Sequence, residues 1–224
     1  METTGAQLTD DFLLKLIHDC RAFVRRSLAG SQLLERQIAD GLEGSVRQRF
    51  GQVIAANREL DQFLGRLSDF ANAAHPRNGR PLPLAAIVQS AILQFPGQAI
   101  EVNSPIPDMA GEANFSQEMI RVFVELIDNA LKFSRNGPVS IQIVAGEDGF
   151  RVNICDSGIG LPASEEEHVF DLLSKLHSYD EYAGFGLGLP ICRRLANSMG
   201  ASVRLSANTS GHGATATVQI PQLN

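Results

Sequence analysis

Apolar residues recur at helical intervals from Leu8 to about Ile38: Leu13, Leu16, Ile17, Cys20, Phe23, Val24, Leu28, Leu34 and Ile38, with no proline between them. After the break Asp40-Gly41-Leu42-Glu43-Gly44, a second series runs Val46, Phe50, Val53, Ile54, Leu60, Phe63, Leu64, Leu67, Phe70. These three- and four-residue steps predict two long helices joined by a short Gly-bearing turn, an antiparallel hairpin. Each helix would be about 45 Å long at roughly 1.5 Å per residue, and an isolated pair of that length leaves an apolar stripe uncovered. Two hairpins packed as a four-helix bundle cover it, so the sequence predicts a homodimer, and sedimentation showing only monomer at micromolar concentration would count against it.

The pattern changes after residue 70. Ala71 to Pro83 carries Pro76, Gly79, Pro81 and Pro83, which cannot continue a helix, and residues 75–83 read as a hinge. Beyond it come a short helix (Leu84 to Phe95), a strand (Ala99 to Val102) and a helix from about Ser116 to Phe133. Two alternating segments, Val139 to Val144 and Phe150 to Cys155, flank Gly146-Glu147-Asp148-Gly149 and predict a β-hairpin. A helix from Leu187 to Met199 and strands Ser202 to Ser206 and Ala214 to Ile220 complete the reading. Strands mixed with segregated helices give an α+β class: a helical hairpin over 8–74 and an α/β sandwich over 84–222.

Composition narrows the setting. The 224 residues are 44% hydrophobic, enough for a real core, and 19 Lys+Arg against 25 Asp+Glu give a net charge of −6. That balance lacks the basic footprint most nucleic-acid binders need. The longest nearly apolar run, Leu82 to Val88, contains Pro83 and falls far short of the roughly 20 residues that span a bilayer. Met1 to Asp11 lacks the basic start and apolar run of a secretory signal, so a cytoplasmic location is expected. Cys20, Cys155 and Cys192 are odd in number, have no metal-ligand spacing and read as reduced thiols.

Four segments carry chemistry. His18 shares a helix stripe with Leu14, Arg21, Ala22 and Arg25, away from the apolar seam, and should point outward. Its neighbour Asp19 can bond one ring nitrogen and leave the other as a nucleophile, although an exposed histidine on a helix is commonly just solvated. Glu125, Asn129 and Lys132 are spaced by four and three and line one helix face. There a carboxylate can orient water, an amide oxygen can ligate Mg²⁺ and an ammonium can offset phosphate charge; an ordinary amphipathic helix has the same look. Asp156-Ser-Gly158-Ile-Gly160-Leu-Pro162 directly follows a strand, placing a carboxylate where it can accept from an exocyclic amine, with glycines that let backbone approach a flat ring. Gly184-Phe-Gly186-Leu-Gly188-Leu189 opens a helix, whose free N–H groups suit a phosphate chain. It is neither a dinucleotide-fold fingerprint nor a P-loop, since no strand precedes it and no Gly-Lys-Ser/Thr follows.

In this order, with a closing Gly211-His-Gly213-Ala-Thr, the chain resembles the two-component sensor histidine kinases from about Asp10 to Pro221. The strongest stretches are Glu125 to Lys132, Asp156 to Pro162 and Val169 to Leu195, where Lys175-Leu-His-Ser-Tyr-Asp-Glu-Tyr182 is similar to the ATP lid of the phytochrome-type kinases. The resemblance implies a dimeric four-helix phosphoacceptor bundle followed by a Bergerat-type ATP-binding sandwich. It implies His18 as phosphoacceptor, Asp19 as its general base, and Asn129 on Mg²⁺ beside Glu125, with Lys132 near the phosphates. Asp156 would read the adenine amine, with Gly158 and Gly160 shaping the base pocket. Gly184, Gly186, Gly188 and Leu189 would carry the triphosphate, Phe170 would anchor the lid, and either Lys175 or His177 would touch the phosphates. ATP and Mg²⁺ are the implied cofactors, and a second copy and a response-regulator receiver domain the implied partners.

Two departures qualify the resemblance. Phe23 stands where the family usually has a helix-bending proline, which predicts a stiffer hairpin, and Ala22 stands where members with phosphatase activity carry Thr or Asn, which predicts weak phosphatase activity. Only 17 residues precede His18, so input from a separate sensory protein is expected. The alternative is an ATP-independent histidine phosphotransferase on a kinase-like scaffold, but such proteins typically lose the nucleotide motifs present here. Chaperone-type ATPases and serine kinases sharing the Bergerat fold need no histidine hairpin, which residues 8–74 supply.

Overall fold

The computed structural model describes residues 2–38, 44–75, 81–103, 114–135, 137–174, 184–208 and 212–221. The chain divides into two compact units, Met1–Asn72 and Ala73–Asn224.

The first unit is the helical hairpin, α1 (Glu2–Ile38) and α2 (Gly44–Asn72). Helix α1 is continuous through Phe23, as the missing proline leads one to expect. Its apolar residues divide between two faces. Ile17 and Val24, with Leu13 and Cys20 beside them, pack against Leu64 and Leu67 of α2. Phe12, Leu16 and Phe23 remain exposed, Phe12 and Phe23 by 69% and 66%. On α2, Val46, Val53 and Leu60, a seven-residue series, are exposed as well. The sequence reading put Leu16 and Phe23 in the same seam as Ile17 and Val24; a helix with two apolar faces presents only one of them to its hairpin partner.

One polar contact fixes the register of the hairpin. Asp61 accepts from Arg21 Nε at 3.0 Å and Nη2 at 3.3 Å, and Arg25 Nε lies 3.5 Å from the same carboxylate. The fork from Arg21 holds the Asp61 carboxyl below the usual carboxylate range. Both side chains are about a quarter exposed, so solvent weakens the pair, and Asp61→Ala should cost only about 0.5–1 kcal/mol, read as a lower urea midpoint. Because the carboxyl is depressed, this contribution is complete above the pKa of a free aspartate and fades as pH falls through the depressed folded value.

The second unit layers helices on a mixed sheet. Strands β1 (Pro81–Pro83), β2 (Ile100–Val102), β3 (Asn114–Ser116), β4 (Val139–Gly146), β5 (Gly149–Cys155), β6 (Ser202–Ala207) and β7 (Ala214–Pro221) alternate with α3 (Leu84–Ile92), α4 (Met119–Phe133) and α5 (Gly188–Ser198). Five strands form the main sheet in the order β2-β4-β5-β7-β6, parallel only between β2 and β4. The hairpin β4–β5 closes at Gly146 opposite Gly149, on the turn the sequence predicts. Alternation sets the sheet's faces: Ile141, Ile143, Val152, Ile154, Ala216 and Val218 are buried, while Gln142, Arg151 and Arg204 face out. Helix α4 packs beside α3 and α5 against the sheet, burying Val122, Phe123, Leu126, Ile127 and Ala130. The polar face of α4 is thereby left for chemistry.

Two short strands, β1 and β3, are absent from the sequence reading. Pro81 to Pro83, assigned to the hinge, form β1 and pair antiparallel with β3, Leu82 opposite Phe115. A proline has no N–H to donate, yet a two-stranded edge ribbon tolerates it because each strand has one unpaired side. The ribbon carries Phe115 onto the core, where its ring meets Phe150 edge-on at 6.0 Å. Residues 76–80 lie outside the described residues.

Candidate functional site

The second unit gathers its polar and glycine motifs at the C-terminal ends of β5 and α4. Asp156 follows β5 and is 8% exposed, one of two buried charged residues among those described. Its Oδ1 accepts from the backbone N–H groups of Gly158 at 2.8 Å and Ala214 at 3.2 Å. Burial raises its pKa, and these two donors partly offset the rise. The main chain of Asp156 is held equally firmly: its N–H donates to Ala214 O at 3.0 Å and its carbonyl accepts from Asn208 Nδ2 at 2.9 Å. Asn208 also bonds the His212 carbonyl at 3.0 Å and accepts from Thr215 Oγ1 at 2.6 Å. With Oδ1 occupied by two donors, Oδ2 is the acceptor left for a ligand. A carboxylate held this rigidly can select a planar group with an N–H to give.

Gly158 joins this turn to α4. An antiparallel bridge pairs it with Ser134, just past the helix, and a Cβ built on it would lie 2.0 Å from Phe133 O and 2.8 Å from Asp156 Oδ1. Only glycine admits that approach, which brings the end of α4 against the Asp156 turn. Gly160 lies on the same turn and Gly213 N–H donates to Gly158 O at 2.9 Å. Along α4, Glu125, Asn129 and Lys132 are all half-buried. Lys132 extends toward the glycine turn before α5: a Cβ on Gly184 would stand 3.1 Å from its ammonium. Gly188 begins α5, Gly186 and Leu189 are half-buried, and no side chain caps the helix, so its first N–H groups are open to a ligand. Gly158 and Gly184 thus bring the Asp156 turn and the start of α5 to the C-terminal end of α4, the helix that carries Asn129 and Glu125. The donor set fits an adenine nucleotide. Among the described residues no group of three or more His, Cys, Asp or Glu forms a metal cage. Lys175 and His177 lie outside the described residues, while Phe170, expected at the foot of the lid, is buried.

In the first unit His18 and Asp19 stand on the outer face of α1, their side chains 83% and 60% exposed. His18 Nδ1 lies 3.3 Å from Asp19 Oδ1, so the adjacent carboxylate engages one ring nitrogen and leaves Nε2 open. Both features stand as the sequence analysis placed them.

Residues 115–224 match the family of histidine kinase-, DNA gyrase B- and HSP90-like ATPases. Over 239 aligned positions the chain is 27% identical to the adaptive-response sensory kinase SasA of Parasynechococcus marenigrum, covering 95% of this chain and 62% of that protein. The second unit carries an ATPase domain of this histidine kinase-like type. The chain is also 33% identical to the phytochrome-like protein Cph1 of Synechocystis over 127 positions, 56% of its own length and 16% of Cph1. In fold it is similar to full-length ShkA, solved in complex with AMPPNP, with a TM-score of 0.72 over 94% of this chain and 45% of that one at 23% identity. The chain thus spans under two thirds of these relatives. Among its described residues no helix is long and apolar enough to cross a membrane.

Asn208 and Thr215 were not singled out from the sequence as site residues. Thr215 ends the Gly211-His-Gly213-Ala-Thr segment, so a signal for it existed; Asn208 lies outside every motif, and its partners stand 52, 7 and 4 residues away.

Proposed function

We propose that the chain is an ATP-dependent protein histidine kinase that phosphorylates His18 and passes the phosphoryl group to an aspartate of a response-regulator receiver domain. The observation that carries this reading is Asp156, a buried carboxylate with one oxygen locked by Gly158 and Ala214 and the other free to accept from the adenine amine. Lys132 beside Gly184 and the uncapped start of α5 support the phosphate end of the same site. Mg²⁺, which neutralises phosphate charge when bound, would be held by Asn129 beside Glu125. Gly160, Gly186 and Leu189 would shape the two ends of the cleft, and Lys175 or His177 would add a phosphate contact.

Phosphoryl transfer needs positioning and charge neutralisation more than covalent help. The proton on His18 Nδ1 is directed to Asp19, so the lone pair on Nε2 attacks the γ-phosphorus. The N–P bond forms as the bond to the β,γ-bridging oxygen breaks and ADP leaves; Asp19, as general base, accepts the Nδ1 proton, so the phosphoimidazole is neutral. The exposed Phe12, Leu16 and Phe23 on α1, with Val46, Val53 and Leu60 on α2, support closure of the hairpin as a homodimeric bundle, and receiver docking near His18 would use Leu14, Ala22 and Arg25.

Incubation with ATP labelled at the γ-phosphate should give acid-labile, base-stable label on the protein, and His18→Gln should remove it entirely. No label on the parent chain, with His18 still accepting from a phosphorylated receiver, would replace the kinase by the phosphotransferase.

A further inference from the structure

Arg193 lies on α5, one and a half turns past the glycine turn, and was assigned no role by the motifs. Its guanidinium stacks on the Phe170 ring, 3.5 Å from Cζ to the ring centroid, and Nη1 bonds Glu167 Oε2 at 2.8 Å. Phe170 is buried and the Arg193 side chain is 27% exposed, so the stack is largely desolvated, whereas Glu167, 77% exposed, contributes a screened ion pair. Phe170 is followed by Asp171 to Ser174, which return onto the glycine turn: Leu173 N–H donates to Gly186 O at 3.2 Å. Leu173 is the one non-glycine residue among those described with a positive φ, 63°, and a Cβ on Gly186 would come within 2.6 Å of Ser174 O. A left-handed leucine is held only where its surroundings over-determine it. Leu173 is held by the Gly186 carbonyl on one side and by the chain's anchor at Phe170 on the other.

We propose that Arg193 is a positioning residue for the phosphate end of the nucleotide site, holding Phe170 so that Leu173 and Ser174 fix the backbone at Gly186. This rests on the nucleotide reading above. Arg193 touches no reacting atom; it acts through Phe170 and Leu173 on the turn that faces Lys132. The consequence is selective. Loosening the turn weakens the hold on a triphosphate and leaves the adenine pocket at Asp156, built from β5, β7 and Asn208, as it was.

The test is calorimetric titration of the full chain, with Mg²⁺ present, using AMPPNP and, separately, adenosine. Arg193→Ala should raise the dissociation constant for AMPPNP about three- to tenfold, the range of a partly desolvated cation–π contact. Its affinity for adenosine should change less than twofold, which a general loss of structure would not allow. Arg193→Lys, which keeps a cation over the ring, should recover much of the affinity, and Glu167→Gln should change it less than twofold. Arg193→Met preserves packing should the alanine variant unfold on heating, and is expected to lose AMPPNP affinity in the same way. Unchanged AMPPNP binding in both variants, or a parallel loss for adenosine, would overturn the positioning role. A parent chain that binds neither ligand would instead overturn the nucleotide reading, and this role with it.

Discussion

Asp156→Asn should weaken AMPPNP and adenosine binding alike by about 100- to 1000-fold while leaving the fold intact. The amide oxygen can take the place of Oδ1 and still accept from Gly158 and Ala214, so the turn survives. Where Oδ2 was, however, stands an NH₂ that donates, and it meets the adenine amine, another donor. Two donors facing each other leave both unpaired in a dry site, which costs several kcal/mol, against the 1.4 kcal/mol that corresponds to each factor of ten. Calorimetry gives the affinity, and a melting curve within a few degrees of the parent separates this effect from unfolding. An asparagine variant that binds like the parent would remove Asp156 from base recognition. The alanine variant is the poorer experiment, because it also deprives two buried N–H groups of their acceptor.

The second large effect concerns stability. Gly158→Ala should lower the melting temperature of the second unit by on the order of 10 °C, an estimated 3–4 kcal/mol for a unit of this size. The added methyl would sit 2.0 Å from Phe133 O and 2.7 Å from its carbonyl carbon, and both atoms belong to main chain that no rotamer change can move. Relief requires parting the end of α4 from the Asp156 turn, which breaks the Ser134–Gly158 bridge. Nucleotide affinity should fall with it, since Asn129 and Lys132 on α4 would then shift relative to Asp156. A variant that melts with the parent would show that the turn yields more easily than its contacts indicate.

Most of the architecture was legible in the sequence because its elements are long or strongly periodic. The alternation of Val139 to Val144 and Phe150 to Cys155 around a Gly-bounded turn, and the three- and four-residue steps of α1, α2 and α4, each allow one period only. What was not legible rests on contacts between distant residues. The ribbon β1–β3 has three residues a strand, two of them prolines in β1, too short for any period to register. The division of α1 into a face toward α2 and an exposed face depends on which of two apolar stripes meets Leu64, and neither stripe is marked by composition. In the site, Asp156, Gly158 and Lys132 announced themselves by motif. Asn208, which holds the Asp156 carbonyl, and Arg193, which stacks on Phe170, are ordinary polar residues until the chain folds back on itself.

The position of β7 in the sheet has a consequence for biosynthesis. It is the last strand in chain order yet lies between β5 and β6, hydrogen-bonded on both sides. A nascent chain that has reached only Ala207 therefore holds β5 and β6 with an empty lane between them, two unpaired edges open to other chains. The nucleotide unit must wait for residue 221 to emerge before its sheet can close, whereas the contacts of the helical hairpin all lie within the first 72 residues and are complete far earlier. Message truncated between Asn72 and Ala214 would thus yield a complete helical hairpin joined to an aggregation-prone remnant of the sheet.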